Sequence, residues 1–389
     1  MQIQNYKVMV IGFDAKRAFR NNTGLGNYSR MVICGLSQAH SEVRSFLYSP
    51  SVDGEYQKYF SSFANVSTRK PSGIDRLFPN LWRRWGVTFH LKEDEIDLFH
   101  GLSHELPHGI PRSIKKVVTM HDLIVWRYPQ YYKAFDRVVH RVKQRHACRI
   151  ADVVVAISEQ TKQDLMHFIH VPESKIRVLY QSCDQQFWQP VKESDIEYAR
   201  EQYSLPEKYI LCVGTVEDRK NQKAVVKAFA ELPEDVHLVI VGRSHKLYGV
   251  EVKSEVRSLR LTNRVHFIDN AEFADFPALY AGAIASVYAS KFEGFGIPIL
   301  ESLCCDTPVV TSNVSSMPEA GGEAALYAAP DNPHEIAQQL QRLIDDPALR
   351  QECVEKGRIQ REKFSQERIV ADFYNLYASM LPDRIGEDD

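Results

Sequence analysis

The stretch Lys291-Phe-Glu-Gly-Phe-Gly-Ile-Pro-Ile-Leu-Glu-Ser302 decides how the rest of the chain is read. It follows an apolar run at Ile284–Ala289, turns on Gly294 and Gly296, and enters a helix near Pro298. Proline suits a first helical turn because its missing N–H would have no partner there. Two close glycines let a phosphate approach the backbone, and the free N–H groups and helix dipole at that end favour the anion. Glu293 stands before the turn and Glu301 lies in the early helix, so both can face one ligand at different heights. One carboxylate can accept two hydrogen bonds from a ribose diol, and the other can hold a sugar hydroxyl. Spaced glutamates alone are common. The strand–glycine–proline–helix setting makes this pair specific, against the plainer reading of a glycine-rich turn with a carboxylate at a helix start.

Outward from this stretch the chain reads as two α/β series. Short β-rich runs are predicted in the first half at Lys7–Phe13, Val43–Tyr48, Ile96–His100, Lys116–Met120, Val153–Ile157 and Ile176–Leu179, with helices at Asn27–Gln38, Tyr131–Ile150 and Glu159–Phe168. Residues 181–207, with Pro190 and Pro206, break the rhythm and read as a linker with a short helix. The second series has strands at Tyr209–Val213, Val236–Val241, Val265–Ile268, Ile284–Ala289, Thr307–Thr311 and Ala324–Ala328. Its helices are Asn221–Leu232, Phe276–Ala281, Ile297–Cys305 and Glu335–Ile344, and an amphipathic helix Gln366–Met380 closes the chain. Alternation of this kind predicts parallel sheets covered on both faces, one in each half. The expectation is two doubly wound domains whose strand rims face a common cleft, a setting that suits a two-part substrate.

The stretch Tyr280–Pro330, with LYAGA followed by YASKFEGFGIPILESLCCDTPVVTSNVSSMPEAGGEAALYAAP, resembles the retaining glycosyltransferase family 4, the group 1 glycosyltransferases of GT-B fold. The resemblance implies an N-terminal acceptor-binding domain at 1–190, a nucleotide-sugar-binding domain at 191–365 and a C-terminal helix, 366–389, crossing back to the first domain. It implies that Glu301 binds the ribose hydroxyls, that Glu293 holds the transferred sugar, and that Gly294, Phe295 and Gly296 border the donor. The family's usual small-residue stretch is here Ser302-Leu-Cys-Cys-Asp306.

Three further motifs fit this picture. Val213-Gly-Thr-Val-Glu-Asp-Arg-Lys-Asn221 sets a lysine and an arginine between a strand and a helix, where they suit a diphosphate leaving group. By resemblance Lys220 is the phosphate-binding lysine and Gly214 borders the donor. Many members carry an arginine directly after that glycine; here the place is Thr215, and Arg219 is the candidate replacement. In Asn22-Thr-Gly-Leu-Gly-Asn-Tyr-Ser-Arg30, Gly24 and Gly26 read as close-approach glycines beside the donor phosphates and the acceptor, against a plain turn. Arg17 and Arg20 just upstream suit an acidic acceptor or plain solvation. In Val118-Thr-Met-His-Asp-Leu-Ile124, His121 follows a β-rich run, and by resemblance it sits beside the reacting anomeric carbon. His100 and His104 are weaker candidates for acceptor contact. Gly242 and Ile268 end two strands where the family borders the nucleotide and its base.

Composition sets the outer bounds. The 389 residues are 44% hydrophobic and 25% charged, as in a soluble globular protein of two domains. The start MQIQNYKVMVIGFD lacks the features of a secretory signal, and no apolar run is long enough to span a membrane. The expected location is cytoplasmic, with peripheral contact at the inner face of the membrane as an extension of it. Residues 1–190 carry 26 Lys and Arg against 17 Asp and Glu, and the remainder 22 against 33. Such a basic half suits an anionic partner, or the two halves simply attract one another. No nucleic-acid motif accompanies the charge. The seven cysteines show no zinc spacing and read as small core residues, with Cys304–Cys305 as the candidate for redox chemistry. No acidic cluster points to a metal.

The expected activity is metal-independent, retaining hexosyl transfer from a nucleotide diphosphate sugar to a glycan or lipid-linked acceptor of cell-surface polysaccharide or glycolipid. The nucleotide sugar is a co-substrate and no cofactor is expected. GDP-mannose is the first expectation, because VGTVEDRKN and HDLI resemble mannosyltransferase-like members; a UDP-hexose is the second. The rival of another class is a non-catalytic sugar-nucleotide-binding subunit. Gly73-Ile-Asp-Arg-Leu-Phe-Pro-Asn-Leu-Trp-Arg-Arg-Trp-Gly86 suits either an anionic membrane interface or a helix packing its tryptophans inward.

Overall fold

A computed structural model describes residues 8–21 and 23–382, with Lys246 described by its backbone alone. Lys7, Asn22 and the end of the expected 366–389 segment therefore lie outside the described residues. The chain divides into two compact units. One runs to Ser182 and takes in the chain from Ser365 onward; the other spans Cys183–Phe364. The division falls ahead of the boundary expected at 190. The expected linker contains its short helix, with a further turn before it. It forms a 3-10 turn, Gln185–Trp188, and a helix, Glu193–Gln202. Tyr203 beyond them donates its hydroxyl to Asp275 at 2.5 Å, which fastens this stretch to the second unit.

The first unit holds a parallel sheet of seven strands: β1 (Val10–Asp14), β2 (Arg44–Tyr48), β3 (Val66–Arg69), β4 (Leu98–Gly101), β5 (Lys115–Met120), β6 (Val153–Ala156) and β7 (Ile176–Val178), in the order β3-β2-β1-β4-β5-β6-β7. β3 was not foreseen. It is a four-residue edge strand, VSTR, with none of its residues fully buried, so it carries no apolar signal. The central strands are near-continuous apolar runs because helices cover both faces. Ile11, Phe13, Leu98, Val117, Val118, Val154 and Val155 are all fully buried.

The final helix, Gln366–Met380, lies on the helix Gly24–Ala39 within this unit. A side chain at Gly35 would meet Val370 at 2.4 Å, so the two backbones approach closely there. His40 stacks on Tyr374 with ring centroids 3.6 Å apart. The hydroxyl of Tyr377 lies 2.6 Å from Nδ1 of His100 on β4, whose Nε2 lies 2.8 Å from the hydroxyl of Thr119 on β5. Tyr28 completes this buried chain, 3.0 Å from the same Thr119 oxygen.

The second unit holds six parallel strands: β8 (Tyr209–Val213), β9 (His237–Val241), β10 (Val265–Ile268), β11 (Ala285–Tyr288), β12 (Val309–Ser312) and β13 (Ala325–Ala328), in the order β10-β9-β8-β11-β12-β13. Each was predicted within a residue or two. Three helices of this unit were not: Lys246–Ser258, which begins in a polar stretch, the short Met317–Gly321, and Pro347–Arg361, which is largely polar. All seven cysteines are free, and six are buried. Cys183 donates its thiol to Sγ of Cys304 at 3.6 Å. Among the described residues no helix is long and apolar enough to cross a membrane.

Candidate active site

In the second unit, β8 and β11 are the adjacent strands at which the sheet order reverses. Open α/β sheets bind ligands beyond the carboxyl ends of their strands at such a point. After β8 the chain passes Gly214 and makes a 3-10 turn, Asp218–Lys220; after β11 it reaches Glu293 and the helix Ile297–Cys304. Asn221 fastens the two loops. In a left-handed conformation (φ 62°), it donates its side-chain amide to the carbonyls of Ala289 (3.1 Å) and Pro330 (2.6 Å). The N–H of Lys291 donates to the carbonyl of Arg219 at 2.9 Å.

The fastened loops bring Arg219, Lys220 and Glu293 together. Nη1 of Arg219 lies 2.5 Å from Oε2 of Glu293, and Nζ of Lys220 lies 2.7 Å from Oε1. Arg219 also pairs with Glu217 at 2.6 Å and donates to the carbonyl of Phe292 at 3.0 Å. Lys220 donates to the hydroxyl of Tyr288 and stands 4.7 Å above its ring. Burial by itself would raise the Glu293 carboxyl, but Lys220 and Arg219 outweigh it and hold the group at about 2. Two serines fix the backbone beneath. Ser315 donates to the Glu293 carbonyl at 2.7 Å, and Ser316 shares its proton between the carbonyls of Glu293 (3.0 Å) and Phe295 (2.8 Å).

Glu301 is equally buried and behaves in the opposite way. Burial pushes its carboxyl up to about 7; the hydroxyl of Tyr280, donating to Oε2 at 2.9 Å, and the charge of Lys220 only partly offset this, and Asp184 adds to the rise. Two glutamates on one loop and helix are thus held at widely separated pKa values, a pattern that marks functional carboxylates.

The predicted glycines fall into distinct roles. Gly296 caps the helix Ile297–Cys304 at φ +116°, which an L side chain would strain. Gly242 has φ +141°, and a Cβ there would stand 2.3 Å from the carbonyl oxygen of Gly214. The N–H groups of Gly214 and Gly242 extend the ladder to Val241 (2.9 Å) and Ile268 (3.0 Å). Thr215 is exposed, and its carbonyl accepts from Gln222. Gly294 is buried, and the ring of Phe295 belongs to the core, 5.2 Å from Phe364. Tyr280, Tyr288, Ser315 and Ser316 were not singled out from sequence, because nothing in their local pattern shows which glutamate or lysine each meets. Among the described residues no group of three or more His, Cys, Asp or Glu is placed to hold a metal ion.

The remaining predicted residues lie in the first unit. His121, directly after β5, is buried; its Nε2 donates to the carbonyl of Leu102 at 2.9 Å and its ring meets Tyr28 edge-on at 4.6 Å. Burial and the neighbouring His104 lower it to about 3, so the ring is neutral at ordinary pH. It cannot act as a proton donor to substrate there, while Nδ1 keeps a lone pair. His100, with both nitrogens engaged in the chain to Tyr377 and Thr119, is structural rather than an acceptor contact. Gly24 and Gly26 lie in the first turn of the helix Gly24–Ala39, not in a preceding loop. A Cβ at Gly24 would meet nothing, whereas at Gly26 it would land 1.8 Å from the carbonyl oxygen of Asn21. The tight approach at Gly26 is made by the chain itself.

Two Rossmann-like units, with a carboxylate–lysine–arginine cluster at the switch point of the second, define a glycosyltransferase of GT-B fold. The chain belongs to the family 4 glycosyltransferases: the model for Glycosyltransferase Family 4 matches residues 22–187, and that for Glycosyl transferases group 1 matches residues 195–360. It is 28% identical to O-antigen chain mannosyltransferase B of Escherichia coli, over 91% of this chain and 96% of that one. It is 30% identical to O-antigen chain mannosyltransferase RfbU of Salmonella typhimurium, over 58% and 60%. In fold it is similar to Anabaena Alr3699/HepE solved in complex with UDP-glucose, with a TM-score of 0.75 and 19% identity over 95% of this chain and 99% of that one.

Proposed function

We propose that the chain transfers mannose from GDP-mannose, with retention at the anomeric carbon and without a metal ion, to a glycan or lipid-linked acceptor of an O-antigen-type polysaccharide. The observation that carries this reading is the cluster of Glu293 with Lys220 and Arg219. A donor diphosphate competes for the two cations, which then oppose the charge that builds on the leaving group. Glu293, released from them, turns to the sugar hydroxyls. The C1–O bond to the diphosphate breaks and a bond from the acceptor oxygen forms on the same face. The acceptor proton passes to a donor phosphate oxygen, so no covalent enzyme intermediate is needed. Glu301 accepts from the ribose diol. Gly214, Gly242, Gly294 and Gly296 leave room for the nucleotide at the strand ends, with the backbone near Phe295 and Ile268 bordering it. The role of His121 rests on the family resemblance: its neutral ring offers a lone pair toward a sugar carrying positive charge. The enzyme works at the inner face of the membrane, where a lipid-linked acceptor is presented.

Mannose is supported by the names of the two relatives, and the UDP-glucose complex of the Anabaena neighbour supports a UDP-hexose as the second reading. The deciding experiment follows donor turnover by NMR in the presence of EDTA. Release of GDP together with α-configured mannose, as free sugar or product, is expected from the α-linked donor, and loss of turnover in Lys220→Ala. Initial release of the β anomer would exclude retention. Turnover of UDP-hexoses alone would move the assignment to the second reading, and turnover of no donor would favour a binding subunit.

A further inference from the structure

Large apolar side chains stand in solvent on two neighbouring elements of the first unit. Residues 73–93 form a broken helical segment: a 3-10 turn Gly73–Leu77, a single turn Pro79–Leu81, a π turn Trp82–Gly86 and a helix Val87–Glu93. Trp82 packs inward, but Ile74, Leu77, Phe78 and Phe89 project outward, Phe89 with 75% of its surface exposed. The reading of this segment as a helix with both tryptophans inward thus holds for Trp82 and fails for Trp85, which is 44% exposed. On the helix Ala134–Ile150, Phe135, Val138 and Val142 share one exposed face at helical spacing. The two elements adjoin. Trp85 stacks on His108 at 5.2 Å, His108 lies 3.9 Å from His146 of the helix, and Arg84 and Val142 line one cavity.

The surroundings are strongly cationic. The helix carries Arg137, Arg141, Arg145 and Arg149 against Asp136, while Lys143 is paired with Glu105 at 3.0 Å. An open cavity of about 750 Å³ beside it is lined by Arg145, Arg149 and Lys175 together with His108 and His146. Large apolar side chains gathered in solvent on adjoining elements mark an interaction site, whereas singly scattered ones do not. A second copy of the chain fits poorly, because a two-fold contact would press one cationic face against another. Nucleic acid would meet the arginines but leave phenylalanines and leucines with nothing apolar to touch. Apolar tips among arginines match the boundary between anionic headgroups and acyl chains.

We propose that this face docks on an anionic lipid bilayer, with Ile74, Leu77, Phe78, Phe89 and Phe135 entering the headgroup–acyl boundary and the arginines meeting lipid phosphates. The proposal deepens the reading of a membrane-presented acceptor and is independent of the donor's identity. Its test is co-sedimentation of the full chain with vesicles of phosphatidylcholine alone or mixed with phosphatidylglycerol, at low and high salt. Melting temperature and donor turnover in solution are measured in parallel. The wild type is expected to sediment with the anionic vesicles and to be released by salt. A Phe78→Ser/Phe89→Ser/Phe135→Ser variant should partition roughly tenfold less or weaker still, and Arg145→Glu/Arg149→Glu should stay in solution, both with unchanged melting and turnover. If the triple variant melts early, the charge-reversed chain decides. Absence of wild-type binding, or equal binding by a folded variant, overturns the proposal. So does a wild-type dimer that both variants abolish in the absence of vesicle binding.

Discussion

At the scale of single residues, Glu293 holds two cations that a diphosphate would also seek. Glu293→Gln should therefore lower kcat on the order of 10²-fold or more while the affinity for the free nucleotide diphosphate stays the same or tightens, since Lys220 and Arg219 are released. Lys220→Ala should lose both turnover and affinity, and steady-state kinetics beside calorimetric titration separate the two patterns. Glu301 gives a pH signature. Its folded carboxyl titrates near 7, above its ordinary value of 4.5, so between those values the folded state binds more protons than the unfolded state and stability falls as pH rises. Glu301→Gln should raise the melting temperature at pH 8, the gain shrinking to nothing below about pH 4.5. A wild-type advantage at pH 8 would contradict the burial argument. These two glutamates, Lys220 and Arg219 were legible in the sequence because loop, glycine and helix signals surround them. Tyr288 and Tyr280 were not, since a strand tyrosine and a helix tyrosine look like core until the partner across the loop is seen.

At the scale of elements, the glycines and the final helix make separable predictions. Gly242→Ala should destabilise the second unit by about 1–3 kcal/mol, because the added Cβ meets the Gly214 carbonyl in a left-handed conformation. Gly24→Ala should leave stability unchanged or raised, as its Cβ enters open space. If donor turnover nevertheless falls, that space serves the ligand; unchanged turnover would remove Gly24 from the site. Tyr377→Phe strands one nitrogen of the fully buried His100 and should cost about 1–3 kcal/mol in the first unit without changing nucleotide affinity. Periodicity and strand–helix alternation revealed twelve of the thirteen strands among the described residues, because buried parallel strands are apolar throughout. The edge strand β3 and the polar helix Pro347–Arg361 lack that signal. Their structure comes from neighbours rather than from their own pattern.

At the scale of the whole molecule, the two units should answer acid differently. Burial lowers His100, His104 and His121 of the first unit to about 3, 4 and 3, so below pH 6.5 the unfolded state binds protons that the folded state refuses. Their contribution is complete above pH 6.5 and is lost as pH falls toward those folded values. In the second unit Glu301 gains from acidification between pH 7 and 5, and the part-exposed, lowered His266 opposes it; Glu293, held at about 2, adds its loss only below about pH 4.5. Hydrogen exchange between pH 7 and 5 should show protection falling first in the first unit; earlier loss in the second would contradict this reading. The basic first half and acidic second half were plain in the sequence, whereas the exposure of apolar side chains on two adjoining elements, one of them arginine-rich, required the fold. The measurement that tests the central claim most directly is a thermal-shift titration with GDP-mannose, GDP, UDP-glucose and UDP, with and without EDTA, on wild type and Lys220→Ala. A saturable rise with GDP and GDP-mannose, indifferent to EDTA and absent in Lys220→Ala, is the expected result. A rise confined to the uridine nucleotides, abolished by EDTA or retained in Lys220→Ala would contradict it.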